Sequence, residues 1–243
     1  MKVLKDAGSF VILTPQAELK NQLLRIERAG RTCYQSEKKR ITFKTAEAFA
    51  VMLLKSGHES VLEHSYMTVQ FDNVCRGFTH EQVRHRLTGI SQESTRYVDY
   101  AKEGAGVDLE KFQIKCVVPP HRDENEKVDL GDGRQLSLTG MFSEVEMFYR
   151  ALRKAGWLPQ DARQILPIGL KSQIVISANF REWRHVFEMR TTKPAHWEIR
   201  RVMCNLCETV QKIVPIIFDD FVLGGNDSNG LRYFIKDPDY FKK

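Results

Sequence analysis

The sequence predicts an α+β fold, a single domain in which a mixed sheet is flanked by long helices. Three observations predict it. Tyr66–Phe71 alternates apolar and polar residues, and Lys171–Ala178 has the same strand-like character. Ser137–Ala155 and Pro194–Val214 carry amphipathic helical patterns long enough to cover a sheet face. No internal repeat and no linker divides the 243 residues, and 42% hydrophobic content supports one proper core.

Taken in order, the apolar patch within MKVLKDAGSFVILTP reads as a first strand and not as a leader peptide. Thr45–Ser56 reads as a helix, with Thr45 as N-cap and Gly57 just past its end. After the Tyr66–Phe71 strand, helical character returns from Cys75 to about Leu87. Phe112–Val118 is a second strand, stopped by Pro119 and Pro120. Residues 121–136, charged and glycine-containing, form an exposed loop or hairpin insertion. The Ser137–Ala155 helix starts at a serine cap. Gln160–Ile165 is short and ends before Pro167. Lys171–Ala178 is a strand, Glu182–Arg190 a helix, and Pro194–Val214 a long helix with proline near its start. The tail from Phe221 is turn-rich and expected to be partly mobile.

The net charge of +6 admits small anionic ligands or nucleic acid as partners. The basic residues are spread along the chain, with local clusters at Lys38-Lys39-Arg40 and Arg200-Arg201. No apolar run approaches the ~18 residues of a membrane span. Five cysteines, an odd number, point to free thiols in a reducing compartment, and the cytoplasm is expected. Cys204 and Cys207 have redox or zinc spacing. With no second pair and a helical setting, they read as two small residues on one helix face. There is no GxGxxG or GxxxxGK stretch, so neither a Rossmann nor a P-loop route to a cofactor is supported.

The densest chemistry lies in RHRLTGISQESTRY, residues 84–97. Arg84, Arg86 and Arg96 present planar forks that match phosphates and stay charged at any working pH. Ser91, Gln92, Ser94 and Thr95 can donate and accept hydrogen bonds, as a heterocycle or a sugar requires. The mixture suits a phosphorylated, base-containing ligand. Ser94 lacks the partners of an activated nucleophile and reads as a positioning residue. Glu81, three residues before Arg84, could pair with it on one helix face. His58 and His64 bracket HESVLEH six apart, which does not suit a zinc helix, where histidines stand four apart. That segment reads as a turn in which Glu59 or Ser60 satisfies backbone donors, and no metal is expected. Ala162–Arg200, taken alone, reads as a buried aromatic helix with charged rims.

Arg-His-Arg, seven residues, then Ser resembles the signature of the flavin-dependent thymidylate synthases. HESVLEH upstream, and Asn179-Phe180-Arg181 through Ala195-His196-Trp197-Glu198-Ile199-Arg200 downstream, resemble the family's other blocks. Together these cover roughly residues 31–210. The resemblance implies that Ser60, Arg84, His85, Arg86, Gln92, Asn179, Arg181 and His185 contact FAD. It implies that Glu81, Arg84, Gln92, Glu93, Ser94, Thr95, Arg96, Arg163 and Arg190 bind dUMP, and that His58 and Arg190 are catalytic. Arg190 would stabilise negative charge developing on the pyrimidine. Two departures stand out. Ser91-Gln92-Glu93 replaces the commonest Asn-Glu form, and His196 replaces the family's usual glutamine.

The implied enzyme is a homotetramer with active sites between subunits. NADPH reduces FAD, methylenetetrahydrofolate supplies the carbon to C5 of dUMP, and the reduced flavin supplies the hydride that completes the methyl group of dTMP. None of the five cysteines sits in a recognisable nucleophile motif, in keeping with a mechanism that needs none. The alternative is a basic nucleic-acid-binding protein using Arg84, Arg86 and Arg96 on phosphates, with an affinity that falls steeply with salt.

Overall fold

The structure, a computed structural model, describes residues 1–33, 35–36 and 40–242. Lys38 and Lys39 of the basic cluster lie outside the described residues. The chain is α+β and packs as two compact units. The first comprises Met1–Ser9, Phe71–His80 and Ser91–Ile174; the second comprises Phe10–Gln70, Glu81–Ile90 and Val175–Lys243. Among the described residues no helix is long and apolar enough to cross a membrane.

The strands are β1 (Lys2–Leu4), β2 (Ser9–Ile12), β3 (Met67–Cys75), β4 (Gly89–Gln92), β5 (Lys115–Val117), β6 (Val128–Asp129), β7 (Gln135–Leu136), β8 (Lys171–Ala178), β9 (Phe221–Asn226) and β10 (Arg232–Lys236). The helices are α1 (Gln16–Cys33), α2 (Phe43–Lys55), α3 (Arg76–Gln82), α4 (Leu138–Lys154), α5 (Pro159–Ala162), α6 (Phe180–Arg190) and α7 (Trp197–Ile213). A four-stranded sheet has the order β2-β3-β8-β4.

In the first unit, β1 pairs with β5 in parallel, from Lys2 opposite Lys115 to Leu4 opposite Val117. Ile114, Cys116 and Val118 alternate inward onto Tyr100, Phe142, Tyr149 and Leu170. Helix α4 starts at Ser137, whose hydroxyl accepts the Gly140 N–H (3.1 Å), and buries Phe142, Glu146 and Tyr149 at helical spacing. The 121–136 segment is mostly exposed and contains the β6–β7 hairpin.

The second unit contains a helix that the sequence reading did not include. Helix α1 begins just after Pro15 and buries Leu19, Leu23, Ile26 and Gly30, one stripe at spacings of three and four. Gly30 is required there, because a Cβ would lie 2.3 Å from the Phe49 ring of α2. Helix α2 is capped three residues earlier than expected. Thr42 is the N-cap, and Thr45 closes a reciprocal capping box with it. Gly57 past its end has φ +70°.

Helix α6 is fastened on its apolar side. Phe180 and Phe187 stand edge-on to Phe218, with centroids 5.6 and 5.5 Å away. Trp183 donates from Nε1 to the Met67 carbonyl (2.9 Å). Arg184, 2% exposed, donates to both carboxylate oxygens of buried Asp220, each at 2.7 Å. Helix α7 buries Ile199, Val202, Met203, Leu206, Cys207 and Val210. Cys204 and Cys207 are free and fully buried on it, their thiols pushed up by desolvation, that of Cys204 to about 11. Its first residue is Trp197, so Pro194 stands outside.

Other expectations are corrected. The N-terminal segment forms two strands, β1 and β2. Strand β3 runs to Cys75 and not Phe71, and the following helix stops at Gln82 and not Leu87. The tail from Phe221 is an antiparallel hairpin, β9–β10. Asp227 braces its turn by accepting the N–H groups of Asn229 and Leu231, and the Phe234 N–H docks on the Thr191 carbonyl (2.9 Å).

Asp220→Ala leaves the Arg184 charge buried without its bidentate partner. The unfolding free energy should fall by about 3–5 kcal/mol, as breaking a buried pair does. Urea denaturation measures this, and an unchanged midpoint would show that the pair does not hold α6.

Candidate active site

The Arg-His-Arg motif lies in the turns after α3 and not on a helix. That geometry lets Arg84 and Arg86 stay exposed while His85 between them turns inward to 5% exposure. The two arginines reach an open cavity of about 860 Å³, lined by Glu59, Glu63, Arg84, His85, Arg86, Leu87, Asn179, Arg181, Glu182, Arg184, His185 and Glu188. All twelve belong to the second unit.

Helix α6 is two-faced, and this builds one wall. With Phe180, Trp183 and Phe187 buried, Arg181, His185 and Glu188 follow at i, i+4 and i+7 on the exposed side. Asn179 is the N-cap; its Oδ1 accepts the Glu182 N–H (2.8 Å), which leaves its amide NH₂ to donate elsewhere. Arg181 pairs with Glu63.

Behind the cavity wall, Arg190 at the end of α6 is held three ways. It donates from Nε to His85 Nε2 (2.9 Å), from Nη1 to Glu81 Oε2 (2.8 Å) and from Nη2 to the Glu81 carbonyl (3.0 Å). Glu81 thus pairs with Arg190 and not with Arg84. Among the described residues three of the five guanidinium N–H groups are engaged, so two can meet a ligand.

His85 is neutral in this arrangement. Burial, then the Arg190 charge and His185, push its pKa down to about 4. The two histidine rings meet edge-on with centroids 5.5 Å apart. Glu182, 7% exposed, is raised above the usual carboxylate range by burial, against a smaller opposing pull from His185. His196, the departure from the family pattern, lies with Nδ1 4.0 Å from Glu81 Oε1.

The first unit holds the other candidates. Ser94 Oγ accepts the Arg96 N–H (3.2 Å), a tight local turn. Arg163 donates to the hydroxyl of buried Thr95 (3.3 Å), and Arg96 donates from Nε to Gln160 (3.1 Å). Gln92 donates to Thr79 (2.6 Å). Both Glu93 carboxylate oxygens are engaged, one by the Tyr100 hydroxyl (2.7 Å) and one by Lys171 (2.8 Å).

The structure therefore brings Arg84, His85, Arg86, Asn179, Arg181 and His185 to one cavity, with Glu81 and Arg190 joined to it through His85. It does not bring His58 or Ser60 to the lining. They are exposed at the start of a 3₁₀ turn, Glu59–His64, and no side chain caps it. Glu59 faces the cavity and lies 3.3 Å from Arg184. Glu182, Arg184 and Glu188 line the cavity without having been singled out in the sequence, and Glu59, read there as a backbone cap, lines it too. The available signal for Glu182 was its place at N3 after Asn179, which reads first as a capping box.

A histidine whose folded pKa lies below its unfolded value binds fewer protons folded than unfolded. His85 should therefore contribute stability above about pH 6.5. That contribution falls as pH drops through the window from 6.5 to about 4 and changes no further below it. The urea midpoint of the protein should decline over this window, and the decline should shrink in His85→Gln. An identical decline in both would remove His85 as its source.

The family model described as thymidylate synthase complementing protein matches residues 17–216. The chain is 32% identical to the flavin-dependent thymidylate synthase of Geobacter sulfurreducens over 197 residues, 79% of this chain and 78% of that protein. It is 33% identical to the flavin-dependent thymidylate synthase of Corynebacterium aurimucosum over 202 residues, 81% and 78% of the two. In fold it resembles the UMP/dUMP methylase PolB from Streptomyces cacaoi, crystallised with 5-Br dUMP. That TM-score is 0.62 at 21% identity, covering 90% of this chain and 96% of PolB.

Proposed function

Because the chain belongs to the flavin-dependent thymidylate synthase family, and is thereby a methyltransferase, we propose that it converts dUMP to dTMP. Methylenetetrahydrofolate is the carbon donor, NADPH the reductant and FAD the cofactor. The site lies between subunits of a cytoplasmic homotetramer. The observation that carries this reading is Arg190, a guanidinium held by three protein hydrogen bonds and fixed by His85 behind the wall of an arginine-rimmed cavity.

The cavity fits a flavin dinucleotide. Its volume of about 860 Å³ lies within the range of cofactor sites, and Arg84 and Arg86 at its rim match a pyrophosphate. When bound, FAD supplies the two-electron chemistry that completes the methyl group. Arg84, Arg86 and Arg181 hold its phosphates. The amide of Asn179, with His85 and His185, contributes polar contacts.

Arg190 stabilises the charge that develops on the pyrimidine, and a preorganised cation in a shielded site does this without reorganising. Its three protein bonds prevent it from folding back onto solvent. Glu81 offsets its charge, so the pair can be half-buried without an uncompensated ion. Arg96 and Arg163 grip the nucleotide phosphate, with Ser94 and Thr95 as hydroxyl partners. Glu93, held by Tyr100 and Lys171, keeps that segment in register. His58 serves the reaction from the turn before the cavity.

The test is dTMP formation from dUMP, methylenetetrahydrofolate and NADPH, with and without FAD. Turnover that requires FAD is expected. Absence of product together with salt-sensitive oligonucleotide binding and no FAD would overturn the reading in favour of a nucleic-acid-binding protein. Arg190→Ala should lower kcat by about 10²–10³-fold, the scale of losing one preorganised charge stabiliser, with the circular dichroism spectrum unchanged. Normal turnover in that variant would remove its catalytic role.

A further inference from the structure

A guanidinium nitrogen always carries its hydrogens at working pH, so the Arg190 Nε contact fixes the chemistry of its partner. His85 Nε2 must be bare to accept it. The ring is then neutral, and its single proton sits on Nδ1. In water a neutral imidazole samples both tautomers; here Arg190 selects one from the Nε2 side, and a group at Nδ1 sets how firmly it is preferred. The charged and titratable groups facing the ring are Arg190 at Nε2, His185 at the ring edge, and Glu182, whose Oε1 lies 3.7 Å from Nδ1.

Glu182 suits the part. Its backbone is fixed by the Asn179 cap, which limits where the side chain can go. Among the described residues none donates a hydrogen bond to its carboxylate, and His85 Nδ1 stands 3.7 Å from it, just beyond hydrogen-bond length. We propose that Glu182 is a positioning residue: a small side-chain adjustment from the 3.7 Å separation brings its carboxyl oxygen onto Nδ1–H and holds His85 in that tautomer, so that Nε2 remains the acceptor that orients Arg190. The tautomer follows from geometry alone; its consequence for the nucleotide rests on the role proposed above for Arg190. The same pattern orients metal-binding and catalytic imidazoles elsewhere, where one ring nitrogen's hydrogen bond decides what the other can do.

The experiment uses FAD-loaded protein labelled with ¹⁵N-histidine, the His85 resonances being those lost in His85→Gln. In the unaltered chain Nδ1 should carry the proton and Nε2 should have the shift of a bare nitrogen. Glu182→Leu keeps bulk and removes the acceptor. It should give a mixed tautomer and weaken dUMP binding by about tenfold, the scale of one net hydrogen bond. Glu182→Gln retains an acceptor oxygen, so it should restore both the tautomer and the affinity; a purely structural carboxylate would not be rescued in the tautomer signal. A pure Nδ1–H tautomer in Glu182→Leu, or Glu182→Gln behaving as Glu182→Leu does, would overturn the proposal. If the tautomer behaves as stated but the unaltered protein binds no dUMP, the function proposed above fails and the positioning role of Glu182 stands.

Discussion

A guanidinium can donate to an imidazole nitrogen only while that nitrogen is bare, and this constraint organises the candidate site. Arg190 Nε meets His85 Nε2 at 2.9 Å, so His85 must be neutral and of one tautomer. The residue pattern of the motif serves that end. His85 is buried and low in pKa, while its two arginine neighbours face outward into the cavity. The turns that follow the end of α3 at Gln82 carry this alternation.

Helix α6 transmits the order of the core to this contact. Its buried side is fixed by Phe180, Trp183 and Phe187 against the aromatic cluster and by the Arg184–Asp220 pair. With rotation about its axis removed, the opposite side presents Arg181, His185 and Glu188 at set heights, and Arg190 leaves the last turn toward Glu81. The tail hairpin adds to this by docking Phe234 on the Thr191 carbonyl, one residue beyond Arg190.

Much of this is legible in the residues, and what is not has identifiable causes. Strand β8 alternates without interruption and α4 has a serine cap, so both are readable from local pattern. The helix after Cys75 is read too long because Val83 and Leu87 continue an apolar rhythm, yet both side chains are exposed. Thr45 is taken for a cap because threonine suits either end of a capping box; only the hydrogen bonds identify Thr42 as the N-cap. The tail reads as turns because Gly224 and Gly225 suggest a loop. A Cβ on Gly224 would meet the Tyr233 ring at 2.4 Å, so a small residue there permits the strand pairing. Arg84, His85, Arg86, Asn179, Arg181 and His185, named through the resemblance, line one cavity. Glu182 is not so named, because a capping box explains a glutamate at that position before any ligand does.

The central claim is that His85 and Arg190 act as one unit on the nucleotide. A double-mutant cycle joining His85→Gln and Arg190→Lys, read by the dUMP dissociation constant of the FAD-loaded protein, tests it directly. Groups in one hydrogen-bonded network couple by about 0.5–3 kcal/mol. The double variant should therefore bind little worse than Arg190→Lys alone. Strict additivity of the two losses would contradict the account.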